Sequence, residues 1–138
     1  MKKLLFALCV LFSIALFSNA KSQTVDFCTS FTKDGVANDS YTEWDCTNNS
    51  CYLYALLKYP ASIRNYYYNP QYLNFYIYRF NKSTNKYEYQ DYEVMKVTST
   101  SNDWFAKKLT FKQAGWYKVD IYMDDAHVGY SELHWNFK

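Results

Sequence analysis

The chain has 138 residues, with 15 Lys and Arg against 13 Asp and Glu. That length holds one domain. Its 22% aromatic content, 16 Tyr included, with only 3 Gly and 2 Pro, excludes collagen-like, low-complexity and disordered chains.

Lys2 and Lys3 open the chain, and the apolar run Leu4 to Phe17 follows. Ser18-Asn19-Ala20 then places small residues two apart, as a signal peptidase requires. The run is about 14 residues, short of the ~20 that cross a bilayer. Residues 1–20 are therefore expected to be a removable signal, helical while attached, and residues 21–138 a single domain. Losing Lys2 and Lys3 leaves 13 basic residues against 13 acidic ones. Such a balance argues against nucleic acid or an acidic membrane as partner. Cys9 follows Leu8 too early in the run for lipid attachment, and Cys28 follows Asp26-Phe27 and fails equally. The expected location is periplasmic or secreted, with no membrane contact after cleavage. The short, Leu- and Phe-rich signal resembles a bacterial one.

In chain order, Val25, Phe27, Thr29 and Phe31 alternate with Asp26, Cys28 and Ser30, which predicts a strand. Lys33-Asp34-Gly35 reads as a turn. Thr42, Trp44 and Cys46 alternate again, and after Thr47–Ser50 a run reaches Tyr59 before Pro60 stops it. Residues 61–71 are irregular and carry Arg64 beside Tyr66, Tyr67 and Tyr68. Tyr72 to Phe80 is a clear strand with Leu73, Phe75 and Ile77 on one side. Residues 81–86 form a polar turn. Tyr87 to Thr98 continues as strand with a slip of phase between Tyr89 and Tyr92, the mark of a β-bulge. Ser99 to Asp103 turns. Phe105, Leu109 and Phe111 share a face, and Tyr117, Val119, Ile121 and Met123 share the next. Asp124 to Ala126 reverses the chain, and Leu133, Trp135 and Phe137 close it. About seven short strands spaced by turns predict an all-β, two-sheet antiparallel sandwich.

The segment Leu109 to Val119, LTFKQAGWYKV, resembles a corner of immunoglobulin-like domains, in which a Tyr hydroxyl bonds back to the chain just upstream. Gly115 and Tyr117 match in place. Gln113 stands where that motif has Asp, Val119 where it has Cys, and the strand Tyr72–Phe80 lacks the expected Trp. The close likeness spans Phe105 to Phe137 and implies a fold, not an activity.

Export favours a disulfide among Cys28, Cys46 and Cys51. With Thr47–Ser50 as a hairpin loop, Cys46 lies opposite Cys51, at the ~4.5–5.5 Å of directly opposed Cβ atoms. Loop entropy favours a Cys28–Cys51 ring, ~3.5 against ~2 kcal/mol. Geometry is preferred here, leaving Cys28 as a spare thiol, either shielded or open to an intermolecular bridge. Zinc would need four closed ligands, an odd demand on this set.

The only imidazoles are His127 and His134. Ser131 and His134 have opposite parity on one strand, which rules out their pairing as nucleophile and base. Asp124-Asp125 lacks the oxygen series of a calcium loop and reads as a solvated turn. Glu43, Glu88, Glu93 and Glu132 supply carboxylates for a hydrolase, but no pattern brings two together. No catalytic residue, metal or cofactor is expected.

If Leu73, Phe75 and Ile77 point inward, then Tyr72, Tyr76 and Tyr78 point outward, and by the same parity so do Trp116, Tyr122 and Tyr130. These six are the candidate binding residues, interleaved with Lys118, Asp120, Glu132 and His134. Exposed aromatics mark protein or glycan contacts, although Tyr pairs also stabilise a wet sheet face unaided. The expected function is non-catalytic binding of a protein or glycan. The alternatives are a structural accessory domain or an inhibitor of a secreted enzyme, with a hydrolase less favoured.

Overall fold

The computed structural model describes residues 23–47, 51–58, 72–97 and 104–138. The expected signal and the Tyr66–Tyr68 segment lie outside them. Eight strands follow one another: β1 Gln23–Cys28, β2 Glu43–Cys46, β3 Tyr52–Lys58, β4 Tyr72–Asn81, β5 Lys86–Lys96, β6 Trp104–Thr110, β7 Gly115–Met123 and β8 Ala126–Phe137. The described residues contain no helix. The architecture is an all-β sandwich of a five-stranded and a three-stranded sheet.

The larger sheet runs β5-β4-β7-β8, with β2 added beside β8; the smaller runs β1-β3-β6. Not every pairing is antiparallel. β2 lies parallel to β8, Glu43 opposite His134 through Cys46 opposite Phe137. The first two residues of β1 also pair parallel with β8, at Gly129 and Tyr130. From Val25 onward β1 pairs antiparallel with β3 instead, so one strand serves both sheets.

Alternation fills the space between the sheets. Leu73, Phe75 and Ile77 of β4 meet Tyr117, Val119, Ile121 and Met123 of β7 and Leu133 and Trp135 of β8. Val25, Phe27, Leu53, Ala55, Leu57, Phe105 and Leu109 approach from the smaller sheet. Phe137, in step with the buried Leu133 and Trp135, is 39% exposed and rests edge-on against Trp135 at the end of the last strand. The bulge expected in β5 is present: Ile77 pairs with Asp91 but Tyr78 with Tyr89, leaving Gln90 as the extra residue. A second bulge, at Val128 in β8, was not foreseen.

Three connections carry specific chemistry. Tyr117 donates its hydroxyl to the Gln113 carbonyl at 2.7 Å, as the corner motif implies. Gly115 beside it has φ +144, where a side chain is strained, and a Cβ would meet Arg79 Nε at 3.1 Å. Arg79 in turn donates from Nε and Nη2 to the Ala114 carbonyl. Asp124 stands exposed in a turn, as its sequence suggests, and also has a structural task. It takes φ 50 at the β7–β8 reversal, and its Oδ1 accepts from Tyr72 N at 2.9 Å. Its own N–H donates to the Tyr72 carbonyl, so the turn is tied to the start of β4.

The chain between β1 and β2 corrects another expectation. β1 ends at Cys28, and Phe31 leaves the core-facing series to bridge Ala37. It packs edge-on against Tyr54 at 5.1 Å and Trp104 at 5.2 Å. Gly35 is buried under Trp104, whose indole leaves no room for a Cβ. The loop thus covers the outer side of the smaller sheet, where Cys28 and Leu56 are fully buried apart from the main core.

Cys46 and Cys51 form the disulfide, with Cα atoms 5.8 Å apart. The hairpin argued for it is absent, since β2 pairs with β8 and β3 with β1 and β6. The bond joins the edge of the larger sheet to the smaller one. It spends two of the three sulfurs a zinc site would use, and it fits an oxidising compartment. Among the described residues Cys28 is the shielded free thiol, its pKa pushed up to about 11 by burial and then by Asp39 and Asp26.

Three outcomes follow from this packing. Ile121→Ala and Leu133→Ala should each lower stability by ~2–5 kcal/mol in urea unfolding, and Tyr117→Phe by ~1–2 kcal/mol through the Gln113 carbonyl left without its donor. Losses near zero would contradict the buried placement. At pH 8 the native protein without residues 1–20 should leave a thiol reagent unreacted, and the same chain unfolded should consume one equivalent, at Cys28. The folded thiol keeps its proton up to about 11 and the unfolded one only to 9.0. Its stabilising contribution is therefore whole below pH 9 and lost as pH rises toward 11.

Candidate functional site

Alternation sends the second set of side chains in β4, β5, β7 and β8 to the outer face of the larger sheet. All six predicted residues stand there. Tyr72, Trp116 and Tyr130 are exposed, while Tyr76, Tyr78 and Tyr122 are half-buried among neighbouring rings. β5 supplies more of the face than sequence reasoning recognised: Tyr92 and Val94 on one side of its bulge, Tyr87 and Tyr89 on the other. Tyr89, at 57%, is the most exposed of these tyrosines.

The rings form a connected row across four strands. Tyr92 contacts Tyr76 with centroids 5.1 Å apart, Tyr76 contacts Tyr122 at 5.4 Å, and Tyr122 contacts His127 at 5.0 Å. His127 then stacks toward Tyr130 at 6.4 Å. A second group lies nearer the β4–β5 turn, where Tyr78 meets Tyr89 and Phe80 meets Tyr87 edge-on. Trp116 stands apart, stacked on His134 at 4.8 Å. Most of these contacts are edge-to-face, the arrangement that ring quadrupoles favour.

A polar centre sits inside the aromatic frame. Asp120 is buried, unlike its outward neighbours, and its two oxygens have different partners. Oδ1 lies 3.2 Å from His127 Nε2, and Oδ2 lies 3.2 Å from Lys118 Nζ. Lys118 also reaches over the Tyr78 and Tyr130 rings, 5.7 Å from each centroid. Tyr92 donates its hydroxyl to Asn74 Oδ1 at 2.7 Å, and Asn74 donates onward to the Asp124 carbonyl. Burial, then the nearby Asp120, pushes the Tyr78 phenol up; burial and Glu132 do the same for Tyr87. Both hydroxyls stay protonated donors at neutral pH.

The other chemistry-bearing residues take separate places. Glu88 accepts from Asn81 and Thr84 in the β4–β5 turn, and those bonds hold its carboxyl below the usual range. Glu93 pairs with Lys107 at 3.1 Å, joining the free edges of the two sheets. Glu132 lies opposite Lys118, and Glu43 opposite His134. Ser131 pairs with Val119 on the inward parity while His134 faces outward, as parity required. His127, which follows the Asp124–Ala126 reversal, belongs to the face because the bulge at Val128 shifts the parity of everything before it. Comparison of the chain with family models, curated proteins and solved structures returned no match.

Proposed function

We propose that the chain is an exported, immunoglobulin-like sandwich that acts without catalysis, binding a protein or a glycan through the aromatic outer face of its larger sheet. The observation that carries this reading is the continuous row Tyr92, Tyr76, Tyr122, His127 and Tyr130, with its ends exposed. A centre that is aromatic and poor in unpaired charge is the composition of the core of a binding patch. Rings already braced against one another lose little freedom when a ligand settles on them.

Strand order supports the immunoglobulin-like part. The sequence β5-β4-β7-β8 opposite β1-β3-β6 matches a C′-C-F-G sheet facing an A-B-E sheet. The Tyr117 corner falls at the start of the strand in the F position. The disulfide departs from that pattern, since it joins β2 to the residue before β3 rather than B to F. Export is supported by the sequence of residues 1–20 and by the oxidised cysteine pair.

Glycan-array screening and pull-down from the native envelope or medium test the reading together. One of them should return a ligand, and Tyr92→Ala and Tyr130→Ala should weaken it about tenfold or more. Each variant should lose less than about 1.5 kcal/mol of stability, the worth of its ring contacts. Silence in both assays, or ligands held equally by both variants, would remove the proposal.

A further inference from the structure

Both sheets end on the same margin. Among the described residues β5 has β4 as its one strand neighbour and β6 has β3, so each turns a row of backbone N–H and C=O groups outward. The Glu93–Lys107 pair at 3.1 Å sets the two edges side by side and fixes their levels along the strands. Following the pairings from β5 round to β6 crosses five antiparallel contacts and one parallel contact, so the two edges run in opposite directions. Their charges differ in sign as well. β5 carries Glu88, Asp91 and Glu93 between its terminal lysines, while β6 carries Lys107 and Lys108 and no acid. Past its bulge β5 pairs with β4 without a shift, and β6 pairs with β3 without one along its whole length, so both edges are regular enough to accept a strand.

We infer that the protein is a symmetric dimer, in which β5 of each copy pairs antiparallel with β6 of the other. A two-fold axis along this margin, parallel to the strands, makes both contacts at once and keeps every residue at its own level. Glu93 of one copy then lies level with Lys107 of the second, and parity places inward residues against inward ones. Glu93 faces Lys107 and Met95 faces Phe105 between the sheets. On the outer side Tyr92 faces Lys108, Val94 faces Ala106, and Lys96 meets Trp104. Each of these pairs joins opposite charges, two apolar side chains, or a cation and a ring. The two Glu93–Lys107 pairs become a ring of four alternating charges, a network rather than isolated surface pairs. Other edge pairings fail on charge: two β5 edges would crowd Glu88, Asp91 and Glu93 against their own copies, and two β6 edges would do the same to Lys107 and Lys108. The join also carries the outer face onward, since Lys108, beside Tyr92 of the other copy, already sits 3.8 Å over the Tyr52 ring.

Sedimentation of the purified protein without residues 1–20 tests the inference, and no ligand of the aromatic face enters. Over a rising concentration series the native protein should approach twice the mass of one chain. Glu93→Lys and Lys107→Glu should each weaken the dimer at least about tenfold, because the ring of four then holds like charges only. Mixing the two variants should restore it, since each edge again meets its opposite. The pair within each copy stays broken in that mixture, so recovery there reports the contact between copies. Val94→Cys/Ala106→Cys supplies a covalent check on the register and should oxidise to a dimer with the two new cysteines linked between chains. A native protein that stays monomeric, a dimer unmoved by either charge reversal, a mixture that fails to associate, or new cysteines that do not link the chains would overturn the inference.

Discussion

Burial of one side of β4, β7 and β8 is the constraint on which the molecule turns. Moving β7 by one residue against its neighbours would carry Val119 and Ile121 to solvent and drive Lys118 and Asp120 between the sheets. The first change forfeits ~1.5–3 kcal/mol for each large side chain exposed. The second strips charged groups of water without the partners they now have. Register is thus held by a penalty paid on both faces at once. The outer aromatic row inherits its order from that register, since Tyr76 meets Tyr122 only because Phe75 lies opposite Ile121.

The two margins of the sandwich are closed in different ways. At one margin β1 crosses from the larger sheet to the smaller, and the Cys46–Cys51 bond joins them again further along β8, where β2 pairs with it. The margin between β5 and β6 has the Glu93–Lys107 pair, partly open to water. An ion pair of that exposure contributes little, so cohesion there rests on Met95 and Val97, which pack partly against the core. The long edge strand β5 is guarded against pairing with a second β5 by its bulge at Gln90 and by Glu88, Asp91 and Glu93.

Most of this frame was legible in the residues because alternation is a local signal. Leu73 to Ile77 and Tyr117 to Met123 announce their faces without reference to anything distant, and the Tyr89-to-Tyr92 slip announces the bulge. Partnership is not local, and there the reading failed. Nothing in Thr42 to Cys46 says that β2 will lie parallel to β8 rather than fold back on β3. A β2–β3 hairpin therefore points to the right cysteine pair although the two strands do not pair with each other. Phe31 continues the parity of Val25 and Phe27, which by alternation alone would carry it to the core. What diverts it is the Trp104 ring, more than seventy residues away, beneath which only Gly35 fits. His127 escaped for a similar reason: a single extra residue at Val128, invisible in composition, turns it from the hairpin onto the face.

The site inherits both kinds of information. Its outline follows from alternation, which is why Tyr72, Tyr76, Tyr78, Trp116, Tyr122 and Tyr130 could be named from sequence. Its working detail follows from the two bulges, which bring Tyr87, Tyr89 and His127 onto the same surface. A bulge raises local twist, and a twisted sheet turns neighbouring rings edge-to-face rather than flat against each other. That geometry lets a carboxylate sit at the centre of an aromatic frame. Asp120 is sheltered from water by the rings, with Lys118 Nζ and His127 Nε2 each 3.2 Å from one of its oxygens. An aromatic surface built only to steady a sheet has no need of such a centre, whereas a surface that discriminates among partners gains from one, because a buried polar group makes a mismatched ligand costly.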